Sequence, residues 1–173
     1  MKLDAKQLRE SQPTEADLKK IKRRQIYIIC DNILDTYNIG SIFRLADAVA
    51  ASKIYICGQS ETPPYHRIAK AAVGTEKWVP WEKASTVAEA VSSIKYQVSS
   101  IKIVAIEQSK KSVDYRKADL TEPVAFIVGH ETTGVSAEAL KLVDEIVELP
   151  MYGVNKSLNV MVSLAVVLFK AIG

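Results

Sequence analysis

The sequence contains few of the residues that build disulfide frameworks or metal sites. Only two of its 173 residues are cysteine and two are histidine. Cys30 and Cys57 each end a predicted strand, and two cysteines in a chain without an export signal are expected to stay reduced and packed. Two thiols cannot bind a metal alone, and His66 and His130 lie far from them in the sequence. No metal site is therefore predicted.

Long apolar runs are absent as well. The longest, residues 158–169, is interrupted by Asn159 and Ser163, and it falls short of the roughly 20 residues that span a bilayer. The first residues are charged and lack the apolar segment of a signal peptide. The hydrophobic content of 48% is nevertheless enough for a full core. Together these features predict a folded, cytoplasmic protein.

Positive charge is in small excess and is unevenly distributed. The formal net charge of +3 permits a nucleic-acid partner without requiring one. Two interpretations of the basic amino-terminal segment stay open: a solvated helix, or an arm that contacts phosphates and makes binding salt-dependent. We expect a helical lead-in over residues 1–23 and one domain over residues 24–173. The basic residues concerned are Lys2, Lys6, Arg9, Lys19, Lys20, Lys22, Arg23 and Arg24.

After the lead-in, short β-branched apolar runs alternate with segments of helical periodicity. This alternation predicts an α/β fold, a parallel sheet with helices on both faces. Ligands of such sheets bind beyond the carboxyl ends of the strands, so the loops after Asp31, Ile106, Gly129 and Leu149 are the expected site. The predicted strands cover 25–31, 53–57, 77–80, 101–106, 124–129 and 145–149, and the predicted helices 38–50, 67–73, 86–96, 136–142 and 156–171.

The predicted last helix is apolar on nearly every face, as the run 160–168 shows. Such a helix is normally buried on all sides. Either it is the central helix of a monomeric core, or a second subunit covers it. We favour the subunit interface, because a domain of this size has difficulty burying a terminal helix by itself.

Three polar stretches stand out against this framework. In the first, residues 38–44, Asn38 lies where a helix should begin and can cap it, and Gly40 lets another backbone or a substrate come close. Arg44 lies in the second turn, where its side chain can lean back toward the helix amino terminus and form an anion site. Taken alone, a capped helix with a surface arginine is the simpler interpretation.

The second stretch, residues 127–134, combines a strand-end glycine with a carboxylate. Gly129 permits close approach of a ligand, and Glu131 stands in the expected crevice, where an isolated carboxylate is costly unless it is paired. Arg44 is an available partner for Glu131. His130 is more readily explained as a structural residue than as a general base.

The third stretch, residues 149–160, is a loop with proline and glycine that leads directly into the last helix. Its backbone groups can recognise an adenine edge, and Ser157 and Asn159 add side-chain hydrogen bonds. The same residue types also serve as helix caps, with Asn155 or Ser157 as candidates here and Ser85 and Ser136 in the two preceding helices.

Together the three stretches resemble the N-x-G-x-x-x-R, G-x-E-x-x-G and P-M-x-G…S-L-N-V motifs of the SpoU family of RNA ribose methyltransferases, in the SPOUT class. The resemblance extends from about Arg24 to the carboxyl terminus. It implies a SPOUT fold with a deep carboxyl-terminal trefoil knot, S-adenosylmethionine (SAM) as the cofactor, and a homodimer packed through the last helix. It also implies that the substrate is tRNA or rRNA, methylated on a ribose 2′-hydroxyl.

Transferred by position, the resemblance assigns roles to individual residues. On the RNA side, we expect Arg67, Lys70 and Lys77 to contact phosphates, whereas Trp78 and Trp81 belong either to the core or to the RNA surface. The implied catalytic group is Asn38, Arg44, Glu131 and Asn159. The implied cofactor pocket consists of Ile106, Glu107, Gly129, Leu149, Met151, Ser157 and Leu158.

The catalytic hypothesis gives Arg44 an electrostatic role. A guanidinium is seldom neutral, so a simple role as a base is improbable. We expect Arg44 to bind the adjacent phosphate and stabilise the developing alkoxide, with Glu131 and Asn38 fixing its side chain. The alternatives are a non-catalytic RNA-binding protein of the same fold, a SPOUT base methyltransferase and, last, a dinucleotide enzyme, for which no G-x-G-x-x-G follows the first strand.

Overall fold

The computed structural model of the protein describes residues 13–173, and over that range the chain forms seven strands and six α-helices. The strands are β1 (Arg24–Asp31), β2 (Ala51–Cys57), β3 (Trp81–Ala84), β4 (Lys102–Ile106), β5 (Val113–Asp114), β6 (Val124–Gly129) and β7 (Glu145–Glu148). The helices are α1 (Glu15–Lys20), α2 (Thr36–Ala48), α3 (His66–Ala72), α4 (Val87–Gln97), α5 (Ala137–Leu140) and α6 (Val160–Ile172).

The strands form one sheet in the order β3-β2-β1-β6-β4-β7-β5. Every pairing in it is parallel. At its centre β1 and β6 lie side by side, with Ile28 opposite Phe126. All residues of β6 and the last six of β1 are buried, which explains why both strands are continuous apolar runs instead of alternating patterns.

Helices cover both faces of the sheet, as the sequence predicts. On one face, α2, α3 and α6 pack against the side chains of Ile28 and Phe126. On the other, α4 and α5 pack against Ile29 and Ile127. The parallel α/β architecture is therefore confirmed, and the carboxyl ends of β1, β4, β6 and β7 meet at one edge. The knot implied by the resemblance stays a prediction.

The strand expected over residues 77–80 is wrong. Thr75–Lys77 form a 3₁₀ turn, and β3 begins only at Trp81. The positive φ of Gly74 (95°) reverses the chain here, and the Trp78 N–H closes the turn on the Thr75 carbonyl at 3.2 Å. The two-residue strand β5 has no expected counterpart, because two residues are too few to show a periodicity.

Asn38 does not cap α2. The helix begins two residues earlier, at Thr36, where the Asp35 carboxylate accepts the Tyr37 N–H at 2.8 Å. Asn38 therefore lies inside the first turn, and its buried side chain is available for contacts with other segments. Of the other expected caps, Ser136 is confirmed at α5, whereas Thr86 replaces Ser85 at α4 and Asn159 replaces Asn155 or Ser157 at α6.

Gly40 is the point at which α2 and α3 come closest. A Cβ at this position would lie 2.5 Å from the Ile68 carbonyl oxygen and 2.6 Å from the Ala71 Cβ. Gly40 thus admits another backbone, as expected, and that backbone is α3 of the same chain. Ordinarily glycine is a poor helix residue, by about 1 kcal/mol relative to alanine, so this close packing outweighs helix propensity.

We expect Gly40→Ala to lower the free energy of unfolding by about 1–3 kcal/mol, because the added methyl group meets backbone that cannot yield. Gly153→Ala is the matched control, since a Cβ there meets nothing within 4 Å. Urea denaturation of both variants measures the difference. Equal stability of Gly40→Ala and the wild type would mean that the two helices can move apart at no cost.

The last helix is only partly covered. Within α6, whose composition is apolar throughout, the buried residues are Leu164, Val167 and Leu168. Val162 and Phe169 are 40% and 52% exposed. In residues 13–173, no helix combines the length and the apolar character needed to cross a bilayer. Because one face of α6 is exposed, α6 is not the fully buried central helix of a monomeric core.

The described part of the lead-in contains a solvated helix. Thr14 and Asp17 form a reciprocal capping box at the start of α1, and no residue of α1 is buried. Arg23 instead donates to the carbonyls of Ala51 and Trp78, at 3.2 and 3.0 Å. The basic residues Lys2, Lys6 and Arg9 lie outside the described residues, so the arm hypothesis and the division at residue 23 stay predictions.

Candidate functional site

A cleft of about 450 Å³ opens at the carboxyl ends of β4, β6 and β7. The loop 149–159, which leads into α6, forms one wall of this cleft, and the turn after β6 forms another. The lining includes all seven residues that the sequence assigns to a cofactor pocket: Ile106, Glu107, Gly129, Leu149, Met151, Ser157 and Leu158. The structure thus brings together residues separated by more than fifty positions.

Two glycines shape the floor of the cleft. A Cβ at Gly129 would collide with the backbone of Gly134 and Val135, so the end of β6 and the following turn are packed backbone to backbone. Gly134 has a φ of +72°, and a Cβ there would occupy the position of the Glu107 carboxylate. That carboxylate accepts the Val135 N–H at 2.8 Å. The glycine spacing of the second motif therefore serves this close packing.

A chain of hydrogen bonds joins the three motifs beside the cleft. The Asn38 amide donates to Glu131 Oε1 at 3.0 Å, and the Asn159 amide donates to Asn38 Oδ1 at 3.0 Å. Asn159 Oδ1 also accepts the Met161 N–H at 2.9 Å, which caps α6. Asn38 is 5% exposed, so its amide is oriented by both neighbours. Glu131 and Asn159 themselves line the cleft.

Glu131 is held by neutral donors. Besides Asn38, it accepts the backbone N–H groups of Leu34 and Asp35, at 3.1 and 2.9 Å. Partial burial alone would raise the pKa of the carboxyl, but these hydrogen bonds outweigh burial and lower the pKa below its usual value. Glu131 is consequently an anion throughout the neutral range and connects the loop after β1 to the turn after β6.

Arg44 is not the partner of Glu131, so this part of the catalytic hypothesis is wrong. The Arg44 side chain is exposed, and it makes no hydrogen bond or ion pair with any residue of the range 13–173. The reason is geometric: six residues of helix correspond to about 600° of rotation, which places Arg44 about 120° around α2 from Asn38. Arg44 instead lies at an exposed position of α2, four residues after Gly40 and so beside the contact that Gly40 makes with α3.

His130 and the two cysteines have structural explanations. His130 Nδ1 accepts the N–H groups of Thr132 and Thr133, at 3.0 and 3.3 Å, and so closes the turn after β6. Cys30 and Cys57 are free and buried. Burial raises the pKa of the Cys57 thiol to about 12, with a further contribution from Asp31. In the described range, no three His, Cys, Asp or Glu side chains are grouped as a metal site requires.

The residues expected to contact RNA lie on the surface. Arg67 and Lys70 are exposed on α3, and Lys77 is exposed at the following 3₁₀ turn. The two tryptophans are partly buried against the core. Trp78 donates its indole N–H to Asp47 at 2.7 Å, and Trp81 packs edge-on against Phe43. Of the two interpretations, core or RNA surface, both tryptophans therefore fit the core.

Several lining residues carry no signal in the motifs. Glu148, at the end of β7, accepts the Ser112 hydroxyl at 2.8 Å. Gln108 donates to the Lys156 carbonyl at 2.7 Å and ties the loop after β4 to the loop 149–159. The sequence could have indicated them only through their positions at strand ends, because ligands of parallel sheets bind at the carboxyl ends of the strands.

Comparison with known proteins identifies relatives over most of the chain. The profile of the SpoU rRNA Methylase family matches residues 25–169. A tRNA (guanosine(18)-2'-O)-methyltransferase of Escherichia coli K12 is 33% identical over 153 residues, which cover 87% of this chain and 65% of the relative. The chain thus spans slightly less than two thirds of that relative's length.

Solved structures agree with this match. The A. aeolicus TrmH/SpoU tRNA modifying enzyme superposes with a TM-score of 0.77 at 30% identity, over 96% of this chain and 79% of that one. The SpoU methyltransferase AviRb from Streptomyces viridochromogenes, in complex with AdoMet, gives a TM-score of 0.78 at 26% identity, over 90% and 63% of the two chains.

Proposed function

Because the chain belongs to the SpoU family, we propose that it transfers a methyl group from SAM to a ribose 2′-hydroxyl of tRNA or rRNA. The hydrogen-bonded chain Glu131–Asn38–Asn159 carries this proposal, since it joins the three motifs at the edge of one cleft. The tRNA methyltransferase activity named for the Escherichia coli relative and the rRNA methylase family profile support the substrate class.

The cleft fits the cofactor in size and in chemistry. Its volume of about 450 Å³ lies within the range of roughly 300–1,000 Å³ usual for small-molecule sites. The loop 149–159 offers backbone N–H and C=O groups for an adenine, and the backbone at Gly129 permits close approach. When bound, SAM supplies an electrophilic methyl group on a sulfonium. The residues of this chain that would hold it line the cleft: Ile106, Glu107, Gly129, Leu149, Met151, Ser157 and Leu158.

A basic surface beside α2 and α3 supports RNA as the substrate. Arg44 is exposed on α2, one turn beyond the contact of Gly40 with α3, and α3 carries Arg67 and Lys70, both exposed. Cations on adjoining helices can grip the phosphates of one strand. Lys77, just beyond α3, extends this basic surface. RNA bound there would approach the cleft from the side of Arg44.

Arg44 stabilises negative charge in this scheme. Its guanidinium holds the phosphate next to the target ribose and stabilises the alkoxide that develops as the hydroxyl loses its proton. A phosphate oxygen or water takes that proton, because a guanidinium stays protonated. Asn38, Glu131 and Asn159 keep the loop after β1, the turn after β6 and the start of α6 in register, which aligns the reacting groups.

A second copy of the chain covers the outer face of α6 in this proposal. The exposed Val162 and Phe169, with the partly exposed residues Met161, Ala165 and Val166, form an apolar face on a helix of apolar composition. Such a face marks an interaction surface, and a helix paired with its own copy buries it symmetrically. The trefoil knot and a location in the cytoplasm, where tRNA and rRNA are modified, belong to the same proposal.

We expect Phe169→Asp to convert a dimer into a monomer, because a buried unpaired carboxylate at the interface is strongly unfavourable. Light scattering coupled to size-exclusion chromatography measures the mass. The matched control is Tyr96→Asp, at an aromatic residue that is 94% exposed on α4 and that should leave the mass unchanged. A monomeric wild type, or a dimeric Phe169→Asp, would contradict the interface.

Transfer of labelled methyl groups tests the function. The purified protein is incubated with methyl-labelled SAM and total RNA from a strain that lacks the gene, and the labelled nucleoside is identified by mass spectrometry. The expected product is a 2′-O-methylated nucleoside at one site, with Arg44→Ala protein as the negative control. Label on a base or in protein would contradict the proposal.

A further inference from the structure

Three carboxylates line the cleft, and within the described residues none of them has a cationic partner. Glu107, Glu131 and Glu148 all belong to the lining. None of them takes part in the ion pairs of residues 13–173. The lining also contains one lysine, Lys156, whose ammonium is turned to the Gly153 carbonyl at 3.4 Å. Three carboxylates and one ammonium give the lining a formal charge of −2.

The charge of each carboxylate is oriented but not neutralised. Glu107 accepts the N–H groups of Gln108 and Val135, each at 2.8 Å. Glu148 accepts the hydroxyl of Ser112 at 2.8 Å. Neutral donors fix the position of an anion without cancelling its field, so the cleft presents fixed negative charge to whatever occupies it.

Resting on the proposed function, we infer that Glu107 and Glu148 make this cleft selective for the positively charged cofactor over its spent form. SAM and its product, S-adenosylhomocysteine, share the adenosyl and amino-acid groups. They differ by the methyl group and by the positive charge on sulfur, which disappears when the methyl leaves. A field that attracts the sulfonium therefore loses one attraction at the moment of transfer. The carboxylates strengthen the binding of the reactant, and the product lacks this additional attraction.

The size of the effect follows from the dimensions of the cleft. We take a separation of roughly 6–10 Å between the sulfonium and a lining carboxylate as the scale of such a cleft. At an effective dielectric constant of about 40, one charge pair at that separation changes a binding constant about three- to tenfold. Two such carboxylates together change the ratio of the two dissociation constants by roughly ten- to a hundredfold.

Gly134 allows this arrangement. A Cβ at this position would fall on the Glu107 carboxylate, so only glycine lets the carboxylate reach the Val135 N–H and remain at the cleft. Glu148 depends on the loop before β5, which carries Ser112. Both carboxylates thus act from positions outside the hydrogen-bonded chain of Asn38, Glu131 and Asn159.

Calorimetric titration of the full-length protein with SAM, S-adenosylhomocysteine and sinefungin tests the inference. Sinefungin carries a cationic amine near the position of the sulfonium, so it should behave like SAM. We expect Glu107→Gln and Glu148→Gln each to weaken SAM and sinefungin about three- to tenfold relative to S-adenosylhomocysteine. Glu82→Gln, which removes the same charge from β3 near the opposite edge of the sheet, should leave the ratio unchanged.

A second measurement does not depend on the folding of any variant. In the wild type, rising ionic strength should weaken SAM more than S-adenosylhomocysteine, because salt screens only the additional attraction. If both ligands bind but neither the variants nor salt change the ratio of their dissociation constants, the inference is overturned and the proposed function is not. A wild type that binds neither ligand would overturn the proposed function, and the inference with it.

Discussion

Arg44→Ala should lose about 10²–10³-fold in the rate of methyl transfer while it binds SAM as the wild type does. The loss follows from the proposed role, since removal of one group that stabilises a developing oxyanion typically has an effect of this size. SAM binding should persist because Arg44 does not line the cleft. Single-turnover transfer to RNA and calorimetric titration of SAM measure the two quantities separately.

Arg44→Lys separates two forms of this role. If the guanidinium grips a phosphate through two parallel hydrogen bonds, lysine should recover little of the activity, because an ammonium cannot reproduce that fork. We expect this result, with a residual rate within about tenfold of that of Arg44→Ala. The matched control is Arg67→Lys, at an exposed cation on α3, which should weaken RNA binding only slightly. A nearly active Arg44→Lys would show that positive charge alone suffices.

Asn38→Asp should have the second large effect, and this effect should depend on pH. The substitution keeps the shape of the side chain but replaces the amide that donates to Glu131 at 3.0 Å with a second carboxylate. At neutral pH the two anions repel each other and a buried hydrogen bond is lost. We expect the free energy of unfolding to fall by about 2–4 kcal/mol and transfer activity to become negligible.

Acidification should partly reverse this loss. Two adjacent carboxylates raise the pKa of one of them, so the pair takes up a proton above the usual range. Below that raised pKa the shared proton restores a donor, and the destabilisation therefore grows as the pH rises through it. Thermal melts between about pH 5 and pH 8 should show the deficit of Asn38→Asp shrinking toward the acid end. Asn155→Asp, an exposed change in the loop 149–159, should show no such trend.

The sheet could be predicted from the composition of its two central strands. The runs that became β1 and β6 are short, β-branched and apolar, and a parallel sheet covered on both faces is the structure that buries such runs completely. The prediction of a strand at 77–80 is wrong because Gly74 reverses the chain just before it. The pattern shows apolar residues, but the direction of the backbone at a glycine depends on tertiary contacts.

The sequence predicts which residues form the site, but not which of them bond to one another. Asp35 and Asn38 are both good helix caps, and the choice of Asp35 leaves Asn38 to bond Glu131 and Asn159. Glu131 takes backbone N–H groups of Leu34 and Asp35 in place of the expected arginine. Sequence shows which side chains are present, whereas the orientation of loop N–H groups appears only once the loop is folded.

An experimental structure of the protein bound to SAM tests the central claim most directly. The account predicts the adenosyl group between Gly129 and the loop 149–159, with the sulfonium methyl open toward the side of Glu131 and Asn159. A cofactor bound elsewhere on the molecule, or a cleft that stays empty at saturating SAM, would contradict it.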